Sequence, residues 1–547
     1  MTVSSDTPQQ LPDEVTCDVL LVGYGPVGMT CAALLAHYGL NVVVVERFPS
    51  LYGLPRAGHL DGETMRVYQR LGIAEQLELV GQSLPEAQFV SADGEVLGNV
   101  QTGESGSGWK ADYMVYQPDL EDIISARAVQ LGVEVFMGVS AEAIEQDTDG
   151  VRTTVRPSAD QDAKPVTVHS AYVIGADGAN SFVRSTLGIE RLDLGFEAMP
   201  QLVVDFEFYD QDKEFPKLNK LTWLGDPDRP QLSGRYAGER ISRVEISAKP
   251  GESAEQLENE EAVWKFIAPW DMTPGTGKLI RSAVYEFEST LAAQWRDGRV
   301  FLVGDAAHTM PPVLGQGMLA GVRDAENLAW KLAAVLAGEA DERILDTYQS
   351  ERAPHVKAII EMAMEVGSMV LAVDPEQARR RDEMLRSSGG VSQPPFPHLG
   401  AGIVRPPEPH GVHGRPGLQA RVATSTRAGL LDDFLGSGRQ WRLISRHAVP
   451  DDLFTPRQKR FLESLNISYA HIHRGRTDDA AYFYDIDAEY HTWYLRTGRR
   501  AYIERPDRYV FGAVATIEEL PALVDELAAS LTAHGWLAGV TSKEQAR

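Results

Sequence analysis

Cysteine, long hydrophobic runs and positive charge are scarce in this chain of 547 residues. The two cysteines, Cys17 and Cys31, form no CxxC pair, so a disulfide framework or a cysteine metal site is excluded and both are interpreted as packing residues. No apolar run approaches the roughly 20 residues that a membrane-spanning helix needs. The segment Met1–Val15 lacks the basic start and apolar core of a secretion signal, so a cytoplasmic location is expected.

The charge balance narrows the choice of partners. The chain has 78 acidic and 52 basic residues, and its formal net charge is -26. This surplus argues against nucleic acid or an anionic membrane as a partner, although a local arginine or helix N-terminus can still bind a small anion. With 43% apolar and 24% charged residues, the composition is that of a globular protein.

The first chemical motif lies in a predicted strand–helix–strand unit. We predict strands over Asp18–Val22 and Asn41–Val45 and a helix over Val27–Tyr38. The uniformly apolar strands favour a parallel sheet that is covered on both faces. The turn between the first strand and the helix reads G-x-G-x-x-G from Gly23 to Gly28, and Glu46 follows the second strand. This pattern predicts a dinucleotide whose pyrophosphate lies at the helix N-terminus and whose ribose meets the carboxylate.

Two later segments place an aspartate two residues after a predicted apolar strand. The predicted strand Ala171–Gly175 leads into Asp177-Gly178, and Val300–Val303 leads into Gly304-Asp305. The second segment continues through Pro311-Pro312 and Gly315-Gln316-Gly317 into a predicted helix that ends near Leu336. The N-terminus of that helix would stabilise a negatively charged group bound at the turn.

Together these three segments resemble the class A FAD-dependent aromatic hydroxylases, in particular the group of phenol and 3-(3-hydroxyphenyl)propionate hydroxylases. The resemblance covers roughly residues 15 to 360. It implies bound FAD, with NADH or NADPH as a transient cosubstrate, since no second G-x-G-x-x-G unit is present. The cofactor-binding residues expected from the motifs and the resemblance are Gly23, Gly25, Pro26, Val27, Gly28, Glu46, Arg47, Arg56, Gln117, Asp177, Gly178, Asp305, Pro312, Gly315, Gly317, Met318 and Leu319. The family usually has a polar or small residue where Leu319 stands, which affects a side-chain contact but not a backbone contact.

The resemblance implies hydroxylation of a substituted phenol or catechol with O₂, through a flavin C4a-hydroperoxide. Such a reaction benefits from a base that deprotonates the ring hydroxyl. His59 is the first candidate because it follows Arg56-Ala57-Gly58, while a buried histidine satisfied by the backbone is the alternative. His308 is interpreted as holding its own turn. The candidate substrate residues are Tyr113, Tyr116, Trp223, Arg235, Tyr236 and Pro311; no metal is expected.

These observations predict an α/β protein with a discontinuous organisation. A Rossmann-like FAD domain, similar to that of glutathione reductase, is predicted over 15–75, 105–195 and 285–375. An inserted α+β substrate domain with an antiparallel sheet is predicted over 76–104 and 196–284, because apolar and polar residues alternate there. A linker at 387–416 precedes a thioredoxin-like C-terminal domain at 417–547, which resemblance suggests around Arg499–Val510. Both cysteines lie far upstream, so this domain is expected to serve structure or homodimer packing.

Other functions stay open at this point. The same chemistry could expel a ring nitro or halide group. A flavin-dependent halogenase is disfavoured because its Trp-x-Trp-x-Ile-Pro segment is absent. A flavin-binding protein without turnover is the remaining alternative from another class.

Overall fold

The computed structural model describes residues 11–84, 86–101, 105–195, 200–210, 215–236, 240–390, 396–408, 411–475 and 482–537. Three large sheets dominate these residues. No helix among them is long and apolar enough to cross a bilayer.

The first sheet is mainly parallel, and its central strands are almost entirely buried. Its strands lie in the order Arg296–Asp297, Val300–Leu302, Val166–Gly175, Glu14–Val22, Val42–Glu46 and Glu134–Met137. Val139–Gln146 and Val151–Pro157 extend it as an antiparallel pair. The helices that belong to this body are Pro26–His37, Gln117–Gln130, Gly317–Leu336 and Arg343–Val370. The predicted strand–helix–strand unit and the predicted start of the helix at Gly317 are confirmed.

One predicted helix begins later than expected. The spacing of Met65, Val67 and Leu71 predicts a helix over Arg56–Gly72. The structure instead has the short strand His59–Asp61 and then the helix Gly62–Arg70. Asp61 caps this helix, because its Oδ1 accepts the backbone N–H of Thr64 at 2.8 Å. Residues 51–58, which precede this strand, therefore form a loop instead of the first turns of the predicted helix.

The second sheet has seven strands and is antiparallel except for one pair. Its order is Gly277–Tyr285, Gln201–Phe208, Ile241–Ser247, Gln231–Tyr236, Leu221–Gly225, Glu86–Ser91 and Val96–Gln101. One face is apolar and packs on the helix Glu260–Ile267, with Leu202, Phe206 and Ile246 in the shared core. Because side chains alternate along a strand, the intervening residues face the other way.

The third sheet lies in the C-terminal part of the chain and also has seven strands. Its order is Ala428–Leu430, Arg421–Ala423, Tyr482–Asp485, Ser468–His473, Arg442–Ser445, Ala501–Glu504 and Val510–Val514. Its longer helices are Pro456–Ser464, Glu489–Thr497 and Leu520–Ala533.

Smaller elements connect these bodies. Two three-stranded sheets contain His59–Asp61, Asp112–Met114 and Gln82–Ser83, and Arg191–Asp193, Thr290–Ala292 and His308–Thr309. The remaining α-helices are Ala74–Val80, Phe182–Thr186, Ala254–Leu257, Pro375–Ser388 and Asp432–Leu435. The 3₁₀ turns are Pro216–Leu218, Ala268–Trp270, Gly304–Ala306, Pro312–Leu314 and Ile517–Glu519.

Candidate active site

Three adjacent parallel strands end together and bring the three motifs to one edge of the first sheet. In the strand register Val22 is opposite Gly175, and Gly175 is opposite Leu302. The segments that follow these positions therefore emerge side by side. In open α/β sheets this carboxyl edge is where nucleotides bind.

The glycines of the first turn have different neighbours. A Cβ on Gly23, which has φ +103°, would lie 2.5 Å from the Ala176 carbonyl oxygen, and one on Gly28 would clash with the Gly23 carbonyl oxygen. A Cβ on Gly25 would meet nothing within 4 Å. Gly25 precedes Pro26 and Val27 at the start of the helix Pro26–His37, so its bare backbone leaves open space at the helix N-terminus.

Glu46 is engaged with the backbone of neighbouring segments. Its Oε2 accepts the N–H of Tyr24 at 2.7 Å, and its Oε1 accepts the N–H of Phe48 at 3.0 Å. Each carboxylate oxygen can accept more than one hydrogen bond, so a ribose hydroxyl can still be bound. The guanidinium of Arg47, an exposed residue, lies 4.8 Å from the centre of the Phe48 ring.

Asp177 carries an unpaired buried oxygen. Its Oδ2 accepts the N–H of Val183 at 3.0 Å, whereas its Oδ1 is buried without a hydrogen-bond partner among the described residues. Burial raises the pKa of Asp177, although hydrogen bonds from the following turn oppose the rise. Gly178 follows with φ +81°, and Asp305 lies exposed in the neighbouring turn Gly304–Ala306. A buried acceptor without a donor is the arrangement that a hydroxyl-bearing ligand would satisfy.

Gln117 and two arginines of the second sheet hold the loop at Arg56. Gln117 Oε1 accepts the N–H groups of Arg56 and Ala57 at 2.8 and 2.6 Å. From the opposite side Arg243 donates to the carbonyls of Arg56 and Pro55 at 2.8 and 3.2 Å, and Arg281 also donates to the Pro55 carbonyl. The loop is thus fixed between the two sheets, while the Arg56 side chain is exposed.

The turn before the helix Gly317–Leu336 lies against His59. Gly315 has φ +62°, and a Cβ there would lie 2.9 Å from His59 Nδ1. No side chain caps the helix N-terminus at Gln316. Met318 is half-buried, but Leu319 is fully buried in the core, so only its backbone can meet a ligand.

Both ring nitrogens of His59 have acceptors as partners. Nε2 lies 2.7 Å from Asp112 Oδ1, and Nδ1 lies 3.3 Å from the Gly315 carbonyl oxygen. A carboxylate and a carbonyl only accept, so this geometry suits a doubly protonated ring. Burial favours the neutral ring, but the hydrogen bond and charge of Asp112 outweigh it and raise the pKa of His59. A phenol would find no free nitrogen on His59 in this arrangement.

His308 holds its own turn, as predicted. Its Nε2 lies 2.6 Å from Asp324 Oδ2 in the helix Gly317–Leu336. The same oxygen accepts the N–H of Gly304 at 3.1 Å.

A narrow cleft separates the second sheet from the turn at Pro312. Its lining consists of Gln201, Trp223, Leu232, Glu245, Pro312, Val313, Val370 and Leu371. The Trp223 ring stacks on Phe89 with centroids 4.9 Å apart. This cleft therefore joins the polar face of the second sheet to the turn that precedes the helix Gly317–Leu336.

The structure brings some predicted substrate residues to this cleft and places others elsewhere. Trp223 lines it, and Pro311 is buried directly before Pro312. Tyr116 lies outside the lining, with the Arg240 guanidinium 5.5 Å from its ring centre. The side chain of Tyr236, at the end of its strand, lies outside the described residues.

Two predicted substrate residues have other contacts. Arg235 is a predicted substrate residue, but its guanidinium lies 5.0 Å from the ring centre of Phe208, on the apolar face of the sheet and away from the cleft. It is paired across strands with Ser242, which is opposite Phe206, and strand alternation fixes that face. The Tyr113 hydroxyl donates to Glu78 at 3.1 Å and accepts the N–H of Lys110, so its hydroxyl is already satisfied.

Sequence reasoning missed Glu245. It lies between Val244 and Ile246 in an alternating strand, and both of these belong to the apolar core. Alternation alone could have placed Glu245 on the opposite face. It could not have shown that this face meets Pro312. No group of three or more potential metal ligands occurs within the described ranges.

Comparisons with known proteins agree with this geometry. The family model described as "FAD binding domain" matches residues 16–363. A second model, described as "HcaD C-terminal domain", matches residues 414–530.

The curated relatives are aromatic hydroxylases by name. The chain is 37% identical to a "Probable NADH-specific resorcinol 4-hydroxylase" of Rhodococcus jostii, over 94% of this chain and 95% of that protein. It is 33% identical to a "3-(3-hydroxy-phenyl)propionate/3-hydroxycinnamic acid hydroxylase" of Mycolicibacterium smegmatis, over 77% of this chain and 76% of that protein.

Solved structures share the fold at lower identity. The flavin-dependent monooxygenase PieE, in complex with FAD and substrate, superimposes with a TM-score of 0.76 at 22% identity, covering 95% of this chain and 100% of PieE. Aklavinone-11 hydroxylase, in a ternary complex with FAD and aklavinone, gives a TM-score of 0.74 at 24% identity, covering 93% and 98%.

Proposed function

We propose a substrate class and a set of site residues for this chain on one premise: it belongs to the FAD-dependent aromatic hydroxylases. It is a flavin-dependent monooxygenase. The observation that carries the proposal is the meeting of three glycine-containing segments, two of them with an aspartate, at one sheet edge, where the third segment continues to the cleft at Pro312.

The residues at that edge fit FAD. The open space at Gly25 suits the pyrophosphate at the N-terminus of Pro26–His37, and the unpaired Asp177 Oδ1 is a buried acceptor for a hydroxyl. We assign the predicted cofactor residues accordingly, with Gln117 acting through the backbone of Arg56 and Ala57. Glycine at 315 and 317 lets the backbone approach a flat ring. NADH is the proposed cosubstrate, because the relative with 37% identity is named as NADH-specific.

The proposed substrate is a phenol without a carboxylate, such as resorcinol. When bound, FAD supplies the chemistry that transfers an oxygen atom from O₂. The residues of the cleft orient the ring and exclude water. Of the eight lining residues, Glu245 is the one with a charged side chain, and none is cationic. A carboxylate-bearing ring would meet a like charge there, so the cleft favours a neutral ring over a phenylpropionate.

His59 fits a positioning role better than the role of base. Its two nitrogens join Asp112 to the Gly315 carbonyl and thereby hold the turn that would face the flavin. Its raised pKa keeps the ring protonated to higher pH than usual, and a protonated imidazole cannot accept a proton.

The predicted domain division is retained in this proposal. Strands 86–101 share a sheet with strands 201–285, which supports a discontinuous substrate domain inserted into the FAD domain. In the C-terminal part, the order Ser468–His473, Arg442–Ser445, Ala501–Glu504, Val510–Val514 supports a thioredoxin-like domain. It contains neither Cys17 nor Cys31, so we infer a structural role.

The test is reconstitution followed by turnover. The purified chain should take up FAD, become yellow and oxidise NADH faster when resorcinol is added, with hydroxylated product formed. Phenol, catechol and 3-(3-hydroxyphenyl)propionate complete the panel, and product must be measured together with NADH because a mimic can stimulate oxidation without being hydroxylated. Folded protein that takes up no FAD, or that forms no product from any phenol, would overturn the proposed function.

A further inference from the structure

Glu245 carries a carboxylate that no hydrogen-bond donor or cation within the described residues binds. It lies in the strand Ile241–Ser247, opposite Val203 on one side and Leu232 on the other. It is half-buried and lines the cleft together with Pro312. A carboxylate in such a place needs a donor to offset the loss of water. The chain leaves that donor to be supplied by whatever enters the cleft.

The neighbouring polar groups are already engaged. Arg243, two residues before Glu245, pairs with Asp205 at 2.8 Å and donates to two backbone carbonyls of the loop at Arg56. Gln201 exchanges hydrogen bonds with the Ser247 hydroxyl at 3.1 and 3.2 Å. These contacts hold both side chains, and Glu245 is left as the acceptor in the cleft.

The electrostatics of Glu245 are set by few groups. Burial raises its pKa, Arg243 opposes the rise, and Asp205 adds to it. The other elements that line the cleft contribute no titratable side chain, since they present Gln201, Trp223, Leu232, Pro312, Val313, Val370 and Leu371. A carboxylate with a raised pKa is a stronger base than one in water, which suits proton transfer from a phenol.

We propose that Glu245 binds the ring hydroxyl of the substrate and accepts its proton, and that its charge selects rings without a carboxylate. This rests on the proposed function. In the step the phenolic O–H bond breaks, the proton goes to a Glu245 oxygen, and the electron pair stays on the phenolate oxygen. The more electron-rich ring is then attacked more readily by an electrophilic oxygen. Glu245, and not His59 as the sequence predicts, is then the base that deprotonates the phenol.

The experiment compares Glu245→Gln with the matched control Glu207→Gln in FAD-loaded protein. Glu207 lies in the same sheet, but its carboxylate is paired with Arg240 and Lys278. Glu245→Gln should retain FAD while kcat/KM for resorcinol hydroxylation falls by about 10²- to 10⁴-fold, the usual contribution of a general base. Glu207→Gln should stay within about twofold of the wild type, because partly exposed ion pairs at the surface contribute little.

Two readouts separate a base from a merely structural residue. In the wild type kcat/KM should rise with pH through a pKa above the ordinary carboxylate range, because the ionised form is active. This limb should be absent from Glu245→Gln and retained by His59→Gln. The affinity for a nitrophenol that is already ionised in solution should be less than tenfold weaker in Glu245→Gln than in the wild type. The ratio of the KM for 3-(3-hydroxyphenyl)propionate to the KM for resorcinol should be lower in Glu245→Gln than in the wild type.

The outcomes distinguish this inference from the function on which it rests. If the wild type hydroxylates no phenol, the proposed function fails. If the wild type is active and Glu245→Gln keeps the wild-type kcat/KM and pH limb, the role of Glu245 is overturned. The same holds if Glu245→Gln loses affinity for ionised and neutral phenols by the same factor. Should Glu245→Gln not fold, Glu245→Asp keeps a carboxylate and should retain the pH limb with reduced kcat. A Glu245→Asp variant without that limb would equally overturn the inference.

Discussion

Individual residues of the first glycine turn have separate physical requirements. Gly23 and Gly28 are required by the protein itself, because a Cβ on either would lie within 2.5 Å of a backbone oxygen. Gly25 has no such neighbour within 4 Å. We infer that a ligand rather than packing accounts for this glycine, since the second glycine of this motif allows the backbone to approach a pyrophosphate.

This difference predicts opposite phenotypes for two alanine variants. Gly25→Ala should fold with the thermal midpoint of the wild-type apoprotein but bind FAD about tenfold or more weakly, a loss of roughly 1.4 kcal/mol or more. Gly28→Ala should instead lower the free energy of unfolding of the apoprotein by about 1–3 kcal/mol, because the added methyl group is overpacked. FAD titration by fluorescence and thermal unfolding of the apoprotein measure the two effects. Equal FAD affinity in Gly25→Ala and the wild type would contradict a phosphate site at this turn.

The positions of the proposed cofactor residues at the sheet edge could be predicted, whereas those of the residues in the cleft could not. Gly25 and Asp177 stand in fixed local patterns next to apolar strands, so their place follows from nearby sequence. Arg235 and Glu245 lie in strands of one sheet but on opposite faces. A single sequence does not fix the register between strands or say which face meets the turn at Pro312.

At the scale of elements, the helix Gly317–Leu336 is fixed to the turn that contains Asp305. Asp324, fully buried in this helix, accepts hydrogen bonds from His308 at 2.6 Å, from the Gly304 N–H at 3.1 Å and from Arg352 Nε at 2.9 Å. Burial favours the neutral acid, but His308 and Arg352 hold the pKa of Asp324 below its usual range. The helix bounds were predictable from composition and periodicity, but this anchor joins residues distant in sequence.

Removing the negative charge of Asp324 should destabilise the contact between the helix Gly317–Leu336 and the turn that contains Asp305. Asp324→Asn leaves Arg352 buried without its ion-pair partner, so the free energy of unfolding should fall by about 3–5 kcal/mol. The control Asp346→Asn removes an exposed carboxylate from Arg296, which keeps Glu342 as a partner, and should change it by about 1 kcal/mol or less. Urea unfolding of the FAD-loaded variants measures both, and FAD release should begin at lower urea in Asp324→Asn. Similar midpoints for the two variants would mean that the anchor contributes nothing.

At the scale of the whole molecule, the C-terminal part is joined to the FAD-binding part by buried charges. Arg505, in the turn after the strand Ala501–Glu504, donates to both oxygens of Glu351 at 2.8 Å, and Lys331 donates to Glu351 at 2.7 Å. All three side chains are fully buried. Burial lowers the pKa of Lys331 to about 8, although Glu351 opposes this change. Charged residues are ordinarily placed at the surface by sequence reasoning, so this contact between distant segments could not be anticipated.

The ion pair between Arg505 and Glu351 predicts how much the contact between the C-terminal part and the FAD-binding part stabilises the protein. Arg505→Met should lower the free energy of unfolding by about 3–5 kcal/mol, because Glu351 stays buried and loses its bidentate partner. The control Arg421→Met removes an exposed arginine 3.9 Å from Asp487 and should change it by about 1 kcal/mol or less. The double variant Glu351→Gln/Arg505→Met should lose less than the sum of its single variants, because neither of these two residues then remains as a buried charge without the other, while Lys331 loses Glu351 in both Glu351 variants. Urea unfolding measures all four proteins, and strictly additive losses would show that Arg505 and Glu351 do not stabilise the molecule as a pair.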